Sequence, residues 1–182
     1  NALLTWFVEH QRDLPWRKNY PAYRVWISEM MLQQTRVATV LDYYDRWMKA
    51  LPSIPSVAAA DEATILKLWE GLGYYRRARN LLACSKILVK KHKSKLPSSI
   101  AEIKKLPGVG DYTANALLGL VYNKPRIALD GNVKRVFSRN LNIKEKNIKF
   151  DLLIEKNKKK LFSTKRNADF IEALMEFGAL IC

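Results

Sequence analysis

The sequence predicts an all-α protein, and three observations carry that prediction. Apolar residues recur at i, i+3 and i+4 along most of the chain. No run of useful length alternates apolar and polar residues as a half-buried strand would. Proline, glycine, aspartate and serine interrupt the periodic segments where helices should start and stop. The 182 residues contain no repeat and no long linker, which points to one domain or two small helical lobes.

In chain order, Leu3, Leu4, Phe7 and Val8 form the inner face of a first helix, which Arg12-Asp-Leu-Pro-Trp-Arg17 breaks. Residues 23–35 are helical, with Trp26, Ile27, Met30 and Met31 apolar. Val37, Val40, Leu41, Tyr44, Trp47, Met48 and Leu51 mark the next helix, which Pro52 and Pro55 end. Asp61 can cap a helix over 62–70 with Ile65, Leu66 and Trp69 inside, closed by Gly71. Gly71-Leu-Gly-Tyr-Tyr75 is a loop, and 78–91 is a basic amphipathic helix through Leu81, Leu82 and Leu88. Ser99 and Glu102 make a capping box for a helix over 100–106. Pro107 stops that helix, and Asp111 can cap another through Tyr112, Ala116, Leu117 and Leu120. Helices over 132–140, 150–161 and 167–179 complete the chain.

The balance of 32 Lys and Arg against 17 Asp and Glu leaves a net charge of +15. Such an excess predicts a polyanionic partner, nucleic acid or an anionic membrane surface. The lysine runs at Lys90, Lys104 and Lys158 fit an AT-rich coding bias equally well. The basic residues are spread over many helices, which disfavours the membrane surface. No apolar run is long enough to span a bilayer, and no signal peptide is visible. Cys84 and Cys182 are too few for a disulfide framework, so a reducing cytoplasm fits.

Four stretches could carry chemistry. In Leu106-Pro-Gly-Val-Gly-Asp-Tyr-Thr-Ala114, Gly108 and Gly110 allow a tight helix–hairpin–helix turn. The turn would aim unpaired N–H groups of a helix start at a phosphate; alone, it reads equally as an ordinary helix–helix turn. Glu29, inside Trp26-Ile-Ser-Glu-Met-Met-Leu-Gln-Gln-Thr35, is either a buried carboxylate raised toward neutral pH or one on a solvated helix face. Asp130, in Leu129-Asp-Gly-Asn-Val-Lys-Arg135, caps the helix behind it, and the helix start should lower its pKa and keep it ionised. A protonated Glu and an ionised Asp are the complementary pair used to break a glycosidic bond. Tyr74 and Tyr75 beside Arg76, Arg77 and Arg79 suit base stacking and phosphate contact, or a core beside a basic helix start. Gln33 and Gln34 suit a helix surface or the reading of base edges.

Taken together, Leu-Pro-Gly-Val-Gly and Leu-Asp-Gly-Asn-Val-Lys-Arg resemble the helix-hairpin-helix superfamily of DNA base-excision glycosylases. Arg12-Asp-Leu-Pro-Trp-Arg17, Ser28-Glu-Met-Met-Leu-Gln-Gln-Thr35 and Gly71-Leu-Gly-Tyr-Tyr75 narrow the resemblance to its adenine-removing branch. The resemblance implies an endonuclease III-like fold of two lobes. One is a six-helix lobe over 21–124 with the hairpin; the other combines 1–20 with 125–182. Where the endonuclease III type carries a lysine that attacks the sugar, this chain has Tyr112, which cannot form a Schiff base. The resemblance thus implies a monofunctional hydrolase acting on adenine opposite 8-oxoguanine or guanine. A thymine or uracil mismatch glycosylase, which can also carry tyrosine there, and a non-catalytic DNA-binding module are the rivals. Glu29 in its setting argues for adenine.

The resemblance assigns roles residue by residue. Glu29 protonates a flipped adenine, Asp130 stabilises the oxocarbenium sugar across a cleft, and Tyr112 and Asn132 support it. Arg12, Trp16, Arg17, Leu32 and Glu172 line the base pocket. Tyr74 wedges into the stack while Gln33, Gln34 and Thr35 fill the vacated space. Gly108 and Gly110, with Arg76 and Lys134, hold the phosphate backbone. Cys182 matches the first of four cysteines that hold a [4Fe-4S] cluster in the family; one thiolate cannot hold it. The chain starts at Asn1, which together with Cys182 suggests a fragment, lacking also the family's 8-oxoguanine-recognising domain. The implied partner is double-stranded DNA with a mismatched or damaged pair, bound by a monomer in a bacterial cytoplasm at the nucleoid.

Overall fold

The structure, a computed structural model, describes residues 2–142, 144, 149–162 and 165–182. Among them are eleven helices and no strand. No described helix is long and apolar enough to cross a membrane. The chain forms two compact units, Pro15–Ala114 and Asn1–Leu14 with Asn115–Cys182.

The first unit contains α2 (Ala22–Leu32), α3 (Val37–Ala50), α4 (Ile54–Ala59), α5 (Glu62–Trp69), α6 (Arg76–His92), α7 (Ile100–Ile103) and the start of α8 (Asp111–Leu120). α2 buries seven residues in succession, Val25 to Met31, so it runs through the middle of its unit with helices on several sides. It packs on α3 and α6, while α6 also receives α4 and α5. Trp47 and Trp69 meet edge to face at 5.6 Å in the core. Trp47 donates its indole N–H to the Tyr23 hydroxyl at 3.0 Å, and that hydroxyl donates to the Leu51 carbonyl.

The second unit contains α1 (Ala2–His10), α9 (Gly131–Leu141), α10 (Phe150–Leu161) and α11 (Asn167–Leu180), with the remainder of α8. α11 packs against α9 and α1. Leu4, Phe7, Ile127, Val133, Phe137, Phe170, Ala173 and Leu174 form its core.

The structure corrects several expectations. Pro55 does not merely end α3; it sits in the first turn of α4, where its missing N–H is harmless. Ser53 and Ser56 form a reciprocal capping box that starts this helix. The expected box at Ser99 and Glu102 does not form, and α7 is a single turn. Asp111 is the first residue of α8 rather than its cap, and it pairs with Lys104 at 2.5 Å instead. Val8 is exposed, so α1 buries only Leu4 and Phe7.

Candidate functional site

In the unit over Pro15–Ala114, Glu29 is only 6 % exposed, between Ser28 and Met30 on the buried row of α2. The alternative of a solvated helix face is thereby removed. α2 ends at Leu32, and Gln33 turns the chain into Gln34, which takes a left-handed φ of +58°. Gln33 donates to the Thr113 hydroxyl at 3.1 Å, tying this turn to the start of α8.

The hairpin between α7 and α8 is pressed against α6 and α2. Gly108 has φ +78°, and a Cβ there would stand 2.8 Å from the Asn80 Cβ and 3.0 Å from the Met30 Cε. No other residue fits this position. At Gly110 a Cβ would meet nothing within 4 Å, so its backbone faces open space. Buried Leu106 and Val109 root the hairpin in the core. The start of α8 thus rests on a rigid base.

Of the cations that suit either phosphate contact or a basic helix start beside a core, Arg77 takes the latter place. Its side chain is 6 % exposed and turns inward. One terminal nitrogen donates to the carbonyls of Met30, Met31 and Gln33 at 3.1, 2.6 and 2.6 Å. The other donates to the carbonyls of Leu72 and Gly73 at 3.2 and 3.1 Å and to the Thr35 hydroxyl at 3.2 Å. Its guanidinium lies 5.3 Å from the Trp69 ring centre and 5.4 Å from that of Tyr74. Desolvation pulls its pKa below the ordinary value, yet arginine remains charged. Arg79 is likewise committed, to Glu62 at 2.8 Å. Arg76 and Tyr74 remain exposed, Tyr74 by 61 % with φ +48°. Gln33, Gln34, Tyr74, Tyr75, Arg76, Arg77 and Asn80 line a cavity of about 390 Å³. Trp16 lies in the core, edge-on to Tyr44 at 5.0 Å; Leu32, Arg17 and Tyr112 are half-buried.

In the other unit, Asp130 caps α9 as expected, accepting from the Val133 N–H at 2.7 Å. It also accepts from Asn132 Nδ2 at 2.9 Å. Its pKa, however, is raised rather than lowered: desolvation outweighs the hydrogen bonds from Val133 and Asn132 and the charge of Arg135. The helix start alone was a poor guide because it ignores burial. Arg135 donates to Asn132 Oδ1 at 2.6 Å and to the Gly178 carbonyl at 2.7 Å, joining α9 to α11. A Cβ on Gly178 would stand 2.5 Å from the Asn132 carbonyl oxygen, so this seat requires glycine.

Glu172 is buried on α11. One turn further on, Glu176 is fully buried and clasps Arg12, accepting from Nε and from a terminal nitrogen at 2.7 Å each and from the backbone N–H at 3.0 Å. Sequence inspection missed Glu176, Arg135, Gly178 and Thr113. Lys134 places its ammonium 5.8 Å from the Phe150 ring centre. Cys182 is partly exposed, and among the described residues no group of three or more His, Cys, Asp or Glu could hold a metal ion. The residues present do not make an iron–sulfur site.

The pattern of the HhH-GPD superfamily of base excision DNA repair proteins matches residues 27–162. The chain belongs to this superfamily. Within it, the chain is 42 % identical over 182 residues to the adenine DNA glycosylase of Buchnera aphidicola subsp. Baizongia pistaciae, covering 100 % of this chain and 52 % of that one. It is 38 % identical over 196 residues to the adenine DNA glycosylase of Rattus norvegicus, covering 99 % and 37 %. The chain thus spans about half the length, or less, of these curated relatives. Among solved structures, a thermostable thymine-DNA glycosylase superposes with a TM-score of 0.88 at 27 % identity, covering 100 % of this chain and 84 % of that one. Endonuclease III in a non-covalent DNA complex superposes with a TM-score of 0.80 at 24 % identity, covering 100 % and 83 %, which shows a shared fold. The expected all-α, endonuclease III-like superfamily fold is therefore the observed one.

Proposed function

We propose that this protein is a monofunctional DNA glycosylase that hydrolyses the N-glycosidic bond of adenine mispaired with 8-oxoguanine or guanine. The observation that carries the reading is Glu29: a carboxylate 6 % exposed on the central helix of its unit, in a chain resembling adenine DNA glycosylases from end to end. A buried carboxyl on that helix is the group this reading assigns to proton transfer.

On this reading Glu29 gives its proton to the imidazole-side ring nitrogen of an extruded adenine. The C1′–N9 bond breaks with its electrons leaving on the base, and the sugar becomes an oxocarbenium cation. Asp130, oriented by Asn132, stabilises that cation, with Tyr112 beside the sugar. Water adds to C1′ and loses a proton to the Glu29 carboxylate, which restores the acid. Tyr112 has no amine, so no Schiff base forms and the strand stays whole. Arg12, Trp16, Arg17, Leu32 and Glu172 shape the base pocket, with Arg12 held by Glu176. Tyr74 enters the stack and Gln33, Gln34 and Thr35 occupy the space left by the base. The hairpin amides at Gly108 and Gly110, with Arg76 and Lys134, hold phosphates.

The test is release of free base from defined duplexes. Adenine should leave from pairs with 8-oxoguanine or guanine, without strand breaks, and Glu29→Gln should abolish release while duplex binding persists. Release of thymine from pairs with guanine, and not of adenine, would establish the rival activity named for the thermostable structural relative. Binding without any release would establish a non-catalytic module.

A further inference from the structure

Among the exposed non-glycine residues of the Pro15–Ala114 unit that hold left-handed backbone angles are Gln34 at φ +58° and Tyr74 at φ +48°. Such angles persist only where the surroundings impose them. Both residues adjoin groups held by one side chain. Arg77 donates to the Gln33 carbonyl and the Thr35 hydroxyl on either side of Gln34. It donates to the Leu72 and Gly73 carbonyls just ahead of Tyr74, and its own N–H binds the Tyr74 carbonyl at 2.9 Å. It also takes the Met30 and Met31 carbonyls, which α2 leaves without intrahelical partners at its negative end. Six oxygens, two at the end of α2 and four on two loops far apart in sequence, thus converge on one guanidinium.

We propose that Arg77 is a positioning residue that locks Gln34 and Tyr74 into a single preformed wedge, so that base extrusion requires no rearrangement of either loop. This rests on the glycosylase reading above. A buried arginine with no carboxylate partner among the described residues is a costly choice for simple packing. Its planar fork reaches two loops at once, which a lysine ammonium cannot do. A wedge ordered before binding loses no conformational freedom when it enters the stack. Arg77 therefore acts on extrusion, not on bond cleavage.

The experiment separates those steps. Adenine release is measured under single-turnover conditions with saturating enzyme, on two duplexes. In one the target adenine faces 8-oxoguanine; in the other it faces an abasic site, where no pair must be broken. Arg77→Lys should slow release from the paired duplex about tenfold or more and from the abasic duplex less than about threefold. Tyr74→Ala should show the same selectivity, and the double variant should lose less than the product of the two single losses, because Arg77 acts in part through Tyr74 and in part through Gln34. Should Arg77→Lys fail to fold, Thr35→Val removes the 3.2 Å bond from Arg77 together with the hydroxyl's own 3.4 Å bond to the Gln33 carbonyl, and should give a smaller loss with the same selectivity. Equal losses on both duplexes, an unimpaired paired duplex, or additive effects in the double variant would overturn the role of Arg77. If the unaltered protein releases adenine from neither duplex, the glycosylase reading falls and takes this inference with it.

Discussion

Gly178→Ala tests the link between the packing of the second unit and its chemistry. An alanine Cβ would stand 2.5 Å from the Asn132 carbonyl oxygen, 2.7 Å from its carbon and 2.8 Å from the Asn132 Cβ. Ordinary contact begins near 3.4 Å, so the start of α9 must retreat by about 0.9 Å. The obstacle is backbone and cannot swing aside, and Arg135 binds Asn132 and Gly178 together at 2.6 and 2.7 Å. Overpacking of this kind costs about 1–3 kcal/mol. The better helix propensity of alanine returns about 1 kcal/mol. The expected net loss is about 0–2 kcal/mol, a fall in Tm of up to about 8 °C at this size. The loss of activity should be larger. Asn132 donates to Asp130 at 2.9 Å, and if Asp130 has the proposed role, a displacement of this order there costs about a hundredfold in rate. Thermal unfolding and single-turnover adenine release are measured side by side, with Gly131→Ala as the control. Gly131 adjoins Asn132 but has open space around it, so its variant should match the parent in both assays. A Gly178→Ala protein with full activity would refute the claim that this seat positions Asp130.

Three further outcomes follow from the geometry. Glu176→Ala removes the buried carboxylate that accepts two bonds of 2.7 Å from the partly exposed Arg12, and should lower stability by about 1–3 kcal/mol in urea unfolding. Gly108→Ala must clash with Asn80 and Met30 at a positive φ, whereas Gly110→Ala has room; only the former should weaken DNA binding through misfolding of the hairpin, and equal affinities would remove the hairpin from the interface. For Asp130, burial raises the folded pKa above 3.8, so the protonated form stabilises the folded state. That contribution is present below 3.8 and is lost as pH rises through the folded value; the stability of the parent relative to Asp130→Asn should therefore decline over that window, and a rise would contradict the burial argument.

The helices with strong apolar periodicity were legible from sequence, and α10 has the expected limits, Phe150–Leu161. α4 was not, because Pro55 reads as a breaker unless Ser53 and Ser56 are recognised as a box around it. Asp61 was legible as a cap because its acceptor serves a local N–H, that of Thr64 at 2.7 Å. From sequence, Arg77 stayed open between phosphate contact and a place beside the core, because charge suggests solvent. Yet it stands four residues before Leu81, on the same stripe as Ser85 and Leu88, all buried. That spacing was the available signal. Glu176 carried a similar one, a turn after Glu172 on a helix face with Ala173 and Phe170 inside. Its partner Arg12 lies 164 residues away, and no local pattern names such a pair.

The raised pKa of Asp130 bears directly on how the proposed chemistry would work. A hydrated surface carboxylate attracts a cation at 4 Å by only about 1 kcal/mol, against about 4 kcal/mol where the effective dielectric is near 20. Desolvation therefore makes Asp130 a stronger stabiliser of a sugar cation, and the gain arises only once the cation forms. The cost is the risk of protonation, which would extinguish the effect. Two neutral donors oppose that, the Val133 N–H on one oxygen and Asn132 Nδ2 on the other. The hydrogen bonds of Arg135 go to Asn132 and Gly178 instead, fixing the Asn132 amide so that its NH2 must face Asp130. An arginine paired directly with Asp130 would hold the carboxylate ionised at the expense of the negative charge that the cation needs. Placing the guanidinium one side chain away keeps the carboxylate oriented while leaving its charge available. On this argument Arg135→Lys should lower the rate through loss of Asn132 orientation, and Asn132→Asp, which sets a second carboxylate against the first, should lower it further.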